Sequence, residues 1–449
     1  MPNRKLIAYI NDDPIGELSE ESGLWSFRYT SAWLSNPHRY ALSPYLPLEQ
    51  GGILDGGTSR PVQWYFDNLL PEEGQRVLLA NQARTDIADA FALLAFYGAE
   101  SAGSVTLLDE AKTPSNERSL TALTDETLSM RIHRMPKVPL TQGAVKRMSL
   151  AGAQHKLAVV YQDGVLFEPD GATPSTHILK PNHPSDDYPH SVINEWFVMR
   201  LAKRVGLVVP EVHRKYVPEP VYIIDRFDRH HAIDQWQRLH VIDACQLLGL
   251  DKSFKYSQGD MNTLSKVANS CRSIAIARTR LFSWLVFNVL VGNSDAHLKN
   301  LSFLVSSQGV ELAPHYDMLS IGCYDSIAFD QSVWPHQTSL AWPIEGVSKF
   351  AEITRKTLID AASVLKISKP TAHRILDQIC SRIVEQTDAL YAEVEAENQV
   401  ILKARSELAA TFAGELRCLR AINHNVIREM VKALSSDGPS TLHSRQSAS

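Results

Sequence analysis

The chain has 449 residues, of which 44% are apolar and 21% charged, and its formal net charge is −5 with a pI of about 6.4. These values fit a globular protein of two or three domains whose core needs no covalent staples, and they exclude a protein that coats nucleic acid through bulk positive charge. The five cysteines, Cys245, Cys271, Cys323, Cys380 and Cys418, stand far apart with no CxxC pair, which points to buried free thiols rather than a disulfide framework or a zinc site.

The chain opens on Met-Pro-Asn-Arg-Lys and runs straight into apolar Leu6–Ile10, with no signal-peptide pattern. Asn11-Asp12-Asp13-Pro14 is turn chemistry, and Trp25–Tyr29 alternates as a strand does. A helix is expected from Pro61, carrying Trp64, Phe66, Leu69 and Leu70. A second is expected over Asp86–Tyr97, capped by Asp86 and stopped at Gly98. Gly103–Leu108 then reads as a strand. Residues 111–145 are polar and mixed, a linker with a short helix or two.

From Ser149 the pattern becomes strand, turn, strand: Leu157–Tyr161, Gln162-Asp163-Gly164, Val165–Phe167, then His177–Lys180 ended by Pro181. Asn194–Val205 is an amphipathic helix, and Val221–Ile224 a buried strand leading into Asp225-Arg226-Phe227-Asp228-Arg229. Beyond residue 235 helices dominate, over Val241–Leu248, Thr263–Ala277, Thr279–Val291, Ile353–Leu365, Pro370–Glu393 and Gln399–Leu434. The tail from Ser435 is rich in Ser, Gly and Pro and is expected to be disordered. The longest apolar run, Leu281–Val291, contains Ser283 and Asn288 and falls short of the roughly 18–20 residues of a membrane span, so a cytoplasmic protein without membrane association is expected. The pattern is α+β and bilobal: 1–110 an N-terminal subdomain, 111–228 a strand-rich lobe, 229–434 a helical lobe and 435–449 a tail.

The chemistry concentrates in Gly292-Asn293-Ser294-Asp295-Ala296-His297-Leu298-Lys299-Asn300, directly after the apolar run, with Asp317 seventeen residues beyond Asn300. An Asp, an Asn five positions later and then an isolated Asp is the order of polar parts in a kinase centre. Asp295 would orient the attacking hydroxyl. Asn300 and Asp317 would hold Mg2+, a hard cation suited to oxygen ligands, and His297 would touch phosphate or order the loop. The small residues of Ala151-Gly152-Ala153-Gln154-His155-Lys156 let backbone N–H groups approach phosphate closely; an ordinary turn is the alternative. Lys180, at a strand end, would reach the ATP phosphates, with Glu195 as its partner. Asp225 and Phe227 would face adenine from the inter-lobe strand, unless they are a plain strand end.

Together with Asp67-Asn68-Leu69-Leu70-Pro71, Ser101–Leu107, Thr176–Lys180, Asp225–Arg229 and Tyr316-Asp317, these segments resemble the HipA family, the toxin kinases of type II toxin–antitoxin modules. They occur in family order from about residue 4 to 430. The resemblance implies a serine/threonine protein kinase of protein-kinase/phosphatidylinositol-kinase-like fold that uses ATP and Mg2+. It implies Asp295 as catalytic acid, Asn300 and Asp317 as metal ligands, Lys180 on phosphate, and Ser149 as an autophosphorylation site whose modification switches the enzyme off. The implied partners are a helix-turn-helix antitoxin resembling HipB, operator DNA reached mainly through that antitoxin, and an aminoacyl-tRNA synthetase substrate, typically the glutamyl enzyme. Its modification stalls translation and leads to growth arrest and persistence. His155, where an acidic residue is common, Asp225, where Glu is common, and Ala296, where Gly is frequent, depart from the pattern. A lipid or small-molecule kinase of the same fold, and a catalytically weak co-repressor, are the competing readings.

Overall fold

The structure is a computed structural model describing residues 4–114, 117–144, 146, 148, 150–232 and 235–435. The chain divides into two compact units, one of Met1–Pro184, Lys215–Lys255 and Leu301–Ala313, the other of Ser185–Arg214, Tyr256–Asn300 and Pro314–Ser449. Strands dominate the first and helices the second, the α+β content expected from the sequence pattern.

The first unit starts with an antiparallel sheet in the order Ile53–Leu54, Leu24–Tyr29, Asp13–Glu21, Arg4–Ile10, Val105–Asp109. Alternation sets its register, so that Leu6 lies opposite Leu18 and Leu18 opposite Phe27, and all three are buried. Helices Pro61–Asp67, Glu73–Ala83 and Ala90–Tyr97 accompany it. The first begins at Pro61 as expected; Glu73–Ala83 was not foreseen. The third starts later than Asp86 because Asp89 is its cap, its carboxylate accepting the Ala92 N–H at 3.0 Å. Gly98 ends it with φ −68°, outside the left-handed region. Its glycine answers to crowding, since a Cβ there would stand 2.5 Å from the Leu94 carbonyl and 2.8 Å from the Leu107 Cβ.

A second sheet carries, in spatial order, Pro220–Asp225, His177–Pro181, Leu157–Gln162, Val165–Gly171 and Arg118–Ala122. Its buried side packs Leu157, Val159, Leu166, Leu179, Val221 and Ile223 with Leu128 of helix Asp125–His133. Met148 and Leu150 are rooted in this same core. A hairpin, Arg229–Ala232 with Gln235–Arg238, and a sheet of Val241–Asp243, Ser302–Ser306 and Gly309–Leu312 complete the unit. Val241–Leu248 is thus not one helix: the first three residues pair as a strand. A reciprocal cap between Asp243 and Gln246 starts the helix at Ala244.

The second unit is built round helix Ile274–Leu290, whose residues Leu281, Phe282, Trp284, Leu285, Val286, Phe287, Val289 and Leu290 are all buried. Its stretch from Leu281 to Leu290 is buried on nearly every side, with Ser283 alone half-buried, so that half is central. Ser191–Arg204, Met261–Asn269, Arg355–Val364, Lys369–Leu402 and Ala409–Ala421 belong to the same unit. The break between Met261–Asn269 and Ile274–Leu290 falls at 270–273, earlier than the expected gap after Ala277. The expected break after Glu393 is absent, and Lys369–Leu402 runs on for 34 residues. No helix among the described residues is long and apolar enough to cross a membrane. The five cysteines are free thiols, four buried and Cys380 half-buried. The expected tail begins at Ser435, which is instead the last residue of helix Arg428–Ser435; the rest of it lies outside the described residues.

Candidate active site

The loop after helix Ile274–Leu290 is fixed from within. The chain turns at Gly292, φ +66°, where a Cβ would stand 2.8 Å from Val426 Cγ1 and 2.9 Å from the Trp334 ring, so glycine is required by both backbone and space. The Gly292 carbonyl accepts the Gly322 N–H at 2.9 Å. Asn293, buried, donates from Nδ2 to Asn288 Oδ1 at 2.8 Å and accepts the Asp295 N–H on Oδ1 at 3.1 Å. Trp342 Nε1–H closes on the Ala296 carbonyl at 2.5 Å.

Asp295, half-buried, is held by its backbone on both sides. Its carbonyl accepts the His297 N–H at 2.8 Å and Asn300 Nδ2–H at 3.1 Å. With Nδ2 so engaged, Asn300 presents its Oδ1 on the other arm of the amide, the atom a hard cation would take. Tyr316 donates its hydroxyl to the Lys299 carbonyl at 2.9 Å, which ties the residue before Asp317 to the residue before Asn300. Asp317 itself has φ +57°, an uncommon conformation for a residue with a side chain. Asn194, buried on helix Ser191–Arg204, grips Ser320 through two hydrogen bonds of 2.8 and 2.9 Å, fixing the strandless segment after Asp317. The structure therefore brings Asp295, His297, Asn300 and the Tyr316–Asp317 turn onto one braced scaffold. An amide oxygen and a carboxylate are both hard oxygen donors, a chemistry that fits Mg2+ and not a soft metal.

Tyr256 is a residue the sequence reading missed. Its hydroxyl donates to Asp295 Oδ1 at 2.5 Å, and its ring meets His297 edge-on with centroids 5.0 Å apart. Standing 39 residues upstream of Asp295, it carries no local sequence signal. Asn293 had one, an Asn two residues before an Asp in a turn. Burial first, then the carboxylates of Asp295, Asp187 and Asp325, push the Tyr188 phenol above its usual value.

The remaining candidates lie in the first unit. The Ala151–Lys156 loop springs from buried Leu150. Gly152, φ +104°, bridges to Pro71, and its carbonyl accepts the Glu72 N–H at 3.2 Å. Lys156 Nζ donates to the Ala151 carbonyl at 2.6 Å, folding the loop on itself. A Cβ on Gly152 would come within 2.8 Å of that ammonium. Burial, helped by His183, pushes the His155 imidazole down to about 4, so it is neutral near pH 7. Ser149 lies outside the described residues. Lys180 is buried, its ammonium 5.7 Å from the centre of the Tyr222 ring. Asp225 lies opposite His177 in the strand register, their side chains 3.1 Å apart, and Phe227 is half-buried. Glu195 is buried on helix Ser191–Arg204 of the second unit.

The motifs flanking these loops are structural. Glu100, fully enclosed, takes Lys146 at 3.0 Å, Arg229 at 2.9 Å and Arg238 at 2.8 Å. Arg226 and Arg229 also pair with Asp228 at 2.7 and 3.0 Å, while the Gly103 N–H donates to Asp228 at 2.7 Å. Burial alone would raise the Glu100 carboxyl, but Arg238, Lys146, Arg229 and Arg226 outweigh it and hold it well below the usual range. Asp67 takes Arg76 and Lys252, Asn68 donates to the Trp64 and Leu250 carbonyls, and Glu72 takes Lys255.

Known proteins match along the chain. A model of the HipA N-terminal domain matches residues 6–108, and a model of the HipA-like C-terminal domain matches residues 148–387. The chain is 30% identical over 437 residues to the serine/threonine-protein kinase toxin HipA of Shewanella oneidensis, covering 91% of this chain and 96% of that one. It is 31% identical over 397 residues to Y4mE of Sinorhizobium fredii, covering 84% and 91%. Its fold matches a chain of the Shewanella oneidensis complex of HipA, HipB and operator DNA with a TM-score of 0.73 at 26% identity, over 95% of this chain and 99% of that chain.

Proposed function

Because the chain belongs to the HipA family, we propose that it is the kinase toxin of a toxin–antitoxin module, transferring phosphate from ATP to a serine or threonine of a translation protein. The observation that carries this reading is the loop Gly292–Asn300, in which Asn293 and Asn300 hold the Asp295 backbone from both sides and Trp342 holds the Ala296 carbonyl. Asp295 accepts the acceptor hydroxyl's proton as that oxygen bonds to the γ-phosphorus. The bridging bond to the β-phosphate breaks and ADP leaves. Asn300 and Asp317 would hold Mg2+, which when bound neutralises charge on the triphosphate. Lys180 and the N–H groups of Ala151–Lys156 take the phosphates, His297 supports the loop, and Asp225 with Phe227 lines the adenine.

In the finer reading the acceptor is glutamyl-tRNA synthetase, a second acceptor is Ser149 of the chain itself, and a helix-turn-helix antitoxin resembling HipB carries the toxin to operator DNA. The relative from Shewanella oneidensis occurs in a complex with HipB and operator DNA, and a net charge of −5 leaves DNA contact to a partner. The test is transfer of label from γ-labelled ATP, with Mg2+, to glutamyl-tRNA synthetase plus tRNA and to the chain itself. Asp295→Asn should lower both by about 100-fold or more with an unchanged melting temperature, and Ser149→Ala should remove self-labelling alone. Full label in Asp295→Asn would sink the assignment of Asp295; a silent synthetase with a self-labelling kinase would redirect the search for the acceptor.

A further inference from the structure

Tyr256 does on Asp295 what a substrate hydroxyl would have to do. An O–H group donates a 2.5 Å hydrogen bond to the carboxylate oxygen Oδ1. During transfer, a serine or threonine hydroxyl needs that same kind of bond to the same carboxylate. Resting on the reading of Asp295 as the catalytic acid, we infer that Tyr256 is the gate of the acceptor site: its phenol stands in for the acceptor hydroxyl and must withdraw before transfer.

Three observations favour a gate over a support. First, Asp295 is already oriented by its own segment, through Asn293 on its N–H and His297 and Asn300 on its carbonyl. Second, Tyr256 lies in a turn outside any helix or strand, its carbonyl accepting the Gly259 N–H at 3.0 Å. The residue is 48% exposed, so swinging the ring into water opens no core cavity. Third, the ring edge on His297 gives the closed position a defined seat.

The gate has a chemical purpose. Water is a small acceptor with no binding energy to spend on displacing a phenol that is a better donor than itself. A protein acceptor brings contacts remote from the reacting oxygen and can use them to open the site, the logic of induced fit. Tyr256 thereby suppresses futile hydrolysis of ATP while admitting a docked protein side chain.

The experiment measures inorganic phosphate released from ATP and Mg2+ by the full chain with no protein acceptor added. It compares wild type, Tyr256→Phe, Tyr256→Ala, Asp295→Asn and the double variant Tyr256→Phe/Asp295→Asn. Tyr256→Phe removes one oxygen and keeps the ring on His297. It should raise phosphate release roughly tenfold, the scale of a lost hydrogen bond to a charged group, with the KM for ATP unchanged. Tyr256→Ala should raise it at least as much, and Asp295→Asn should abolish the gain. Release that is unchanged or lowered in Tyr256→Phe, with a wild-type melting temperature, overturns the gate and makes Tyr256 a positioning residue or a bystander. If Asp295→Asn hydrolyses ATP like wild type, the fault lies with the reading of Asp295 and the gate falls with it.

Discussion

Asp295 owes its backbone geometry to two buried asparagines in series. Asn293 bridges the Asp295 N–H and Asn288 Oδ1, and Asn288 donates in turn to the Trp284 carbonyl at 2.8 Å on the central helix. Asn293→Ala would break this chain and strand a buried amide oxygen, costing about 1–3 kcal/mol. Phosphoryl transfer should fall roughly 10- to 100-fold through loss of alignment with the KM for ATP little changed; melting curves and steady-state kinetics read the two effects separately. Buried imidazoles act on stability instead. Burial pushes His240 down to about 4 and His315 down to about 3, the latter with help from Arg280. Their unfolded values lie near 6.5, so below that pH the unfolded chain takes up protons that the folded chain refuses. Their contribution is intact above pH 6.5 and is lost as the pH falls toward 4 and 3. The melting temperature should therefore drop by several degrees between pH 7.5 and 5, before most carboxylates titrate. A flat profile over that interval would show that these rings are protonated in the fold.

At the scale of elements, the Ser101–Gly103 turn and the Asp225–Arg229 segment are one device. Gly103, φ +73°, lies so close to Val241 that a Cβ would stand 2.9 Å from its N and 3.0 Å from its O, and its own N–H and C=O serve Asp228 and Arg229. Glu100→Gln would leave Lys146, Arg229 and Arg238 around a neutral amide in a buried site. A cost of about 3–5 kcal/mol is expected, read as a shift in denaturant midpoint; a shift near zero would mean that water reaches the cluster. Asp228 sets a second acid limit. Burial would raise it, but Arg226 and Arg229, with the Gly103 N–H, bring it to about 2. Its contribution is present above pH 4 and disappears as the pH falls through 2, well below the histidine window. How much of this was legible follows from what each residue needs. Asp295, Asn300 and Asp317 share one stretch of chain, so spacing exposed them. Leu6–Ile10, Trp25–Tyr29, Leu157–Tyr161, His177–Lys180 and Val221–Ile224 showed as apolar or alternating runs, and helix Pro61–Asp67 showed by its proline. Arg118–Ala122, in a stretch expected to be a linker with a short helix or two, and the hairpin of Arg229–Ala232 with Gln235–Arg238 were not foreseen. Glu100 meets its partners 46 to 138 residues away and Gly103 meets Asp228 125 residues away, so Gly103 registered only within a family signature and Glu100 not at all. Tyr256, 39 residues upstream of Asp295, was hidden because nothing in its own segment marks the pairing. The misplaced helix boundaries fell where a cap or a strand pairing, at Asp89 and Val241, overrode the apolar period.

For the whole molecule, the consequence is that the end of the N-terminal family match at residue 108 is not a place where folding energy divides. The compact unit that begins at Met1 runs on through Pro184 and takes in Lys215–Lys255 and Leu301–Ala313. Six side chains past residue 140, Lys146, Arg226, Arg229, Arg238, Lys252 and Lys255, have carboxylate partners on Glu100, Asp67 or Glu72. Asn11 adds a paired bond to the Arg238 backbone, at 3.0 and 3.3 Å. A chain begun at residue 111 keeps the matched C-terminal family domain, yet Lys146, Arg226, Arg229 and Arg238 lose Glu100, and Lys252 and Lys255 lose Asp67 and Glu72. Each such charge that stays buried costs several kcal/mol, and the apolar surface that residues 1–110 covered is exposed to water. Set against the 5–15 kcal/mol that typically separates a folded domain from its unfolded state, that loss is decisive. Residues 111–449 expressed alone should therefore be insoluble or lack a cooperative melt, and residues 1–110 supplied as a separate chain should restore both solubility and a single transition. A soluble 111–449 fragment that melts within a few degrees of the intact protein would show that the ionic network is a surface convenience. It would return the boundary near residue 110 to the status of a true folding boundary.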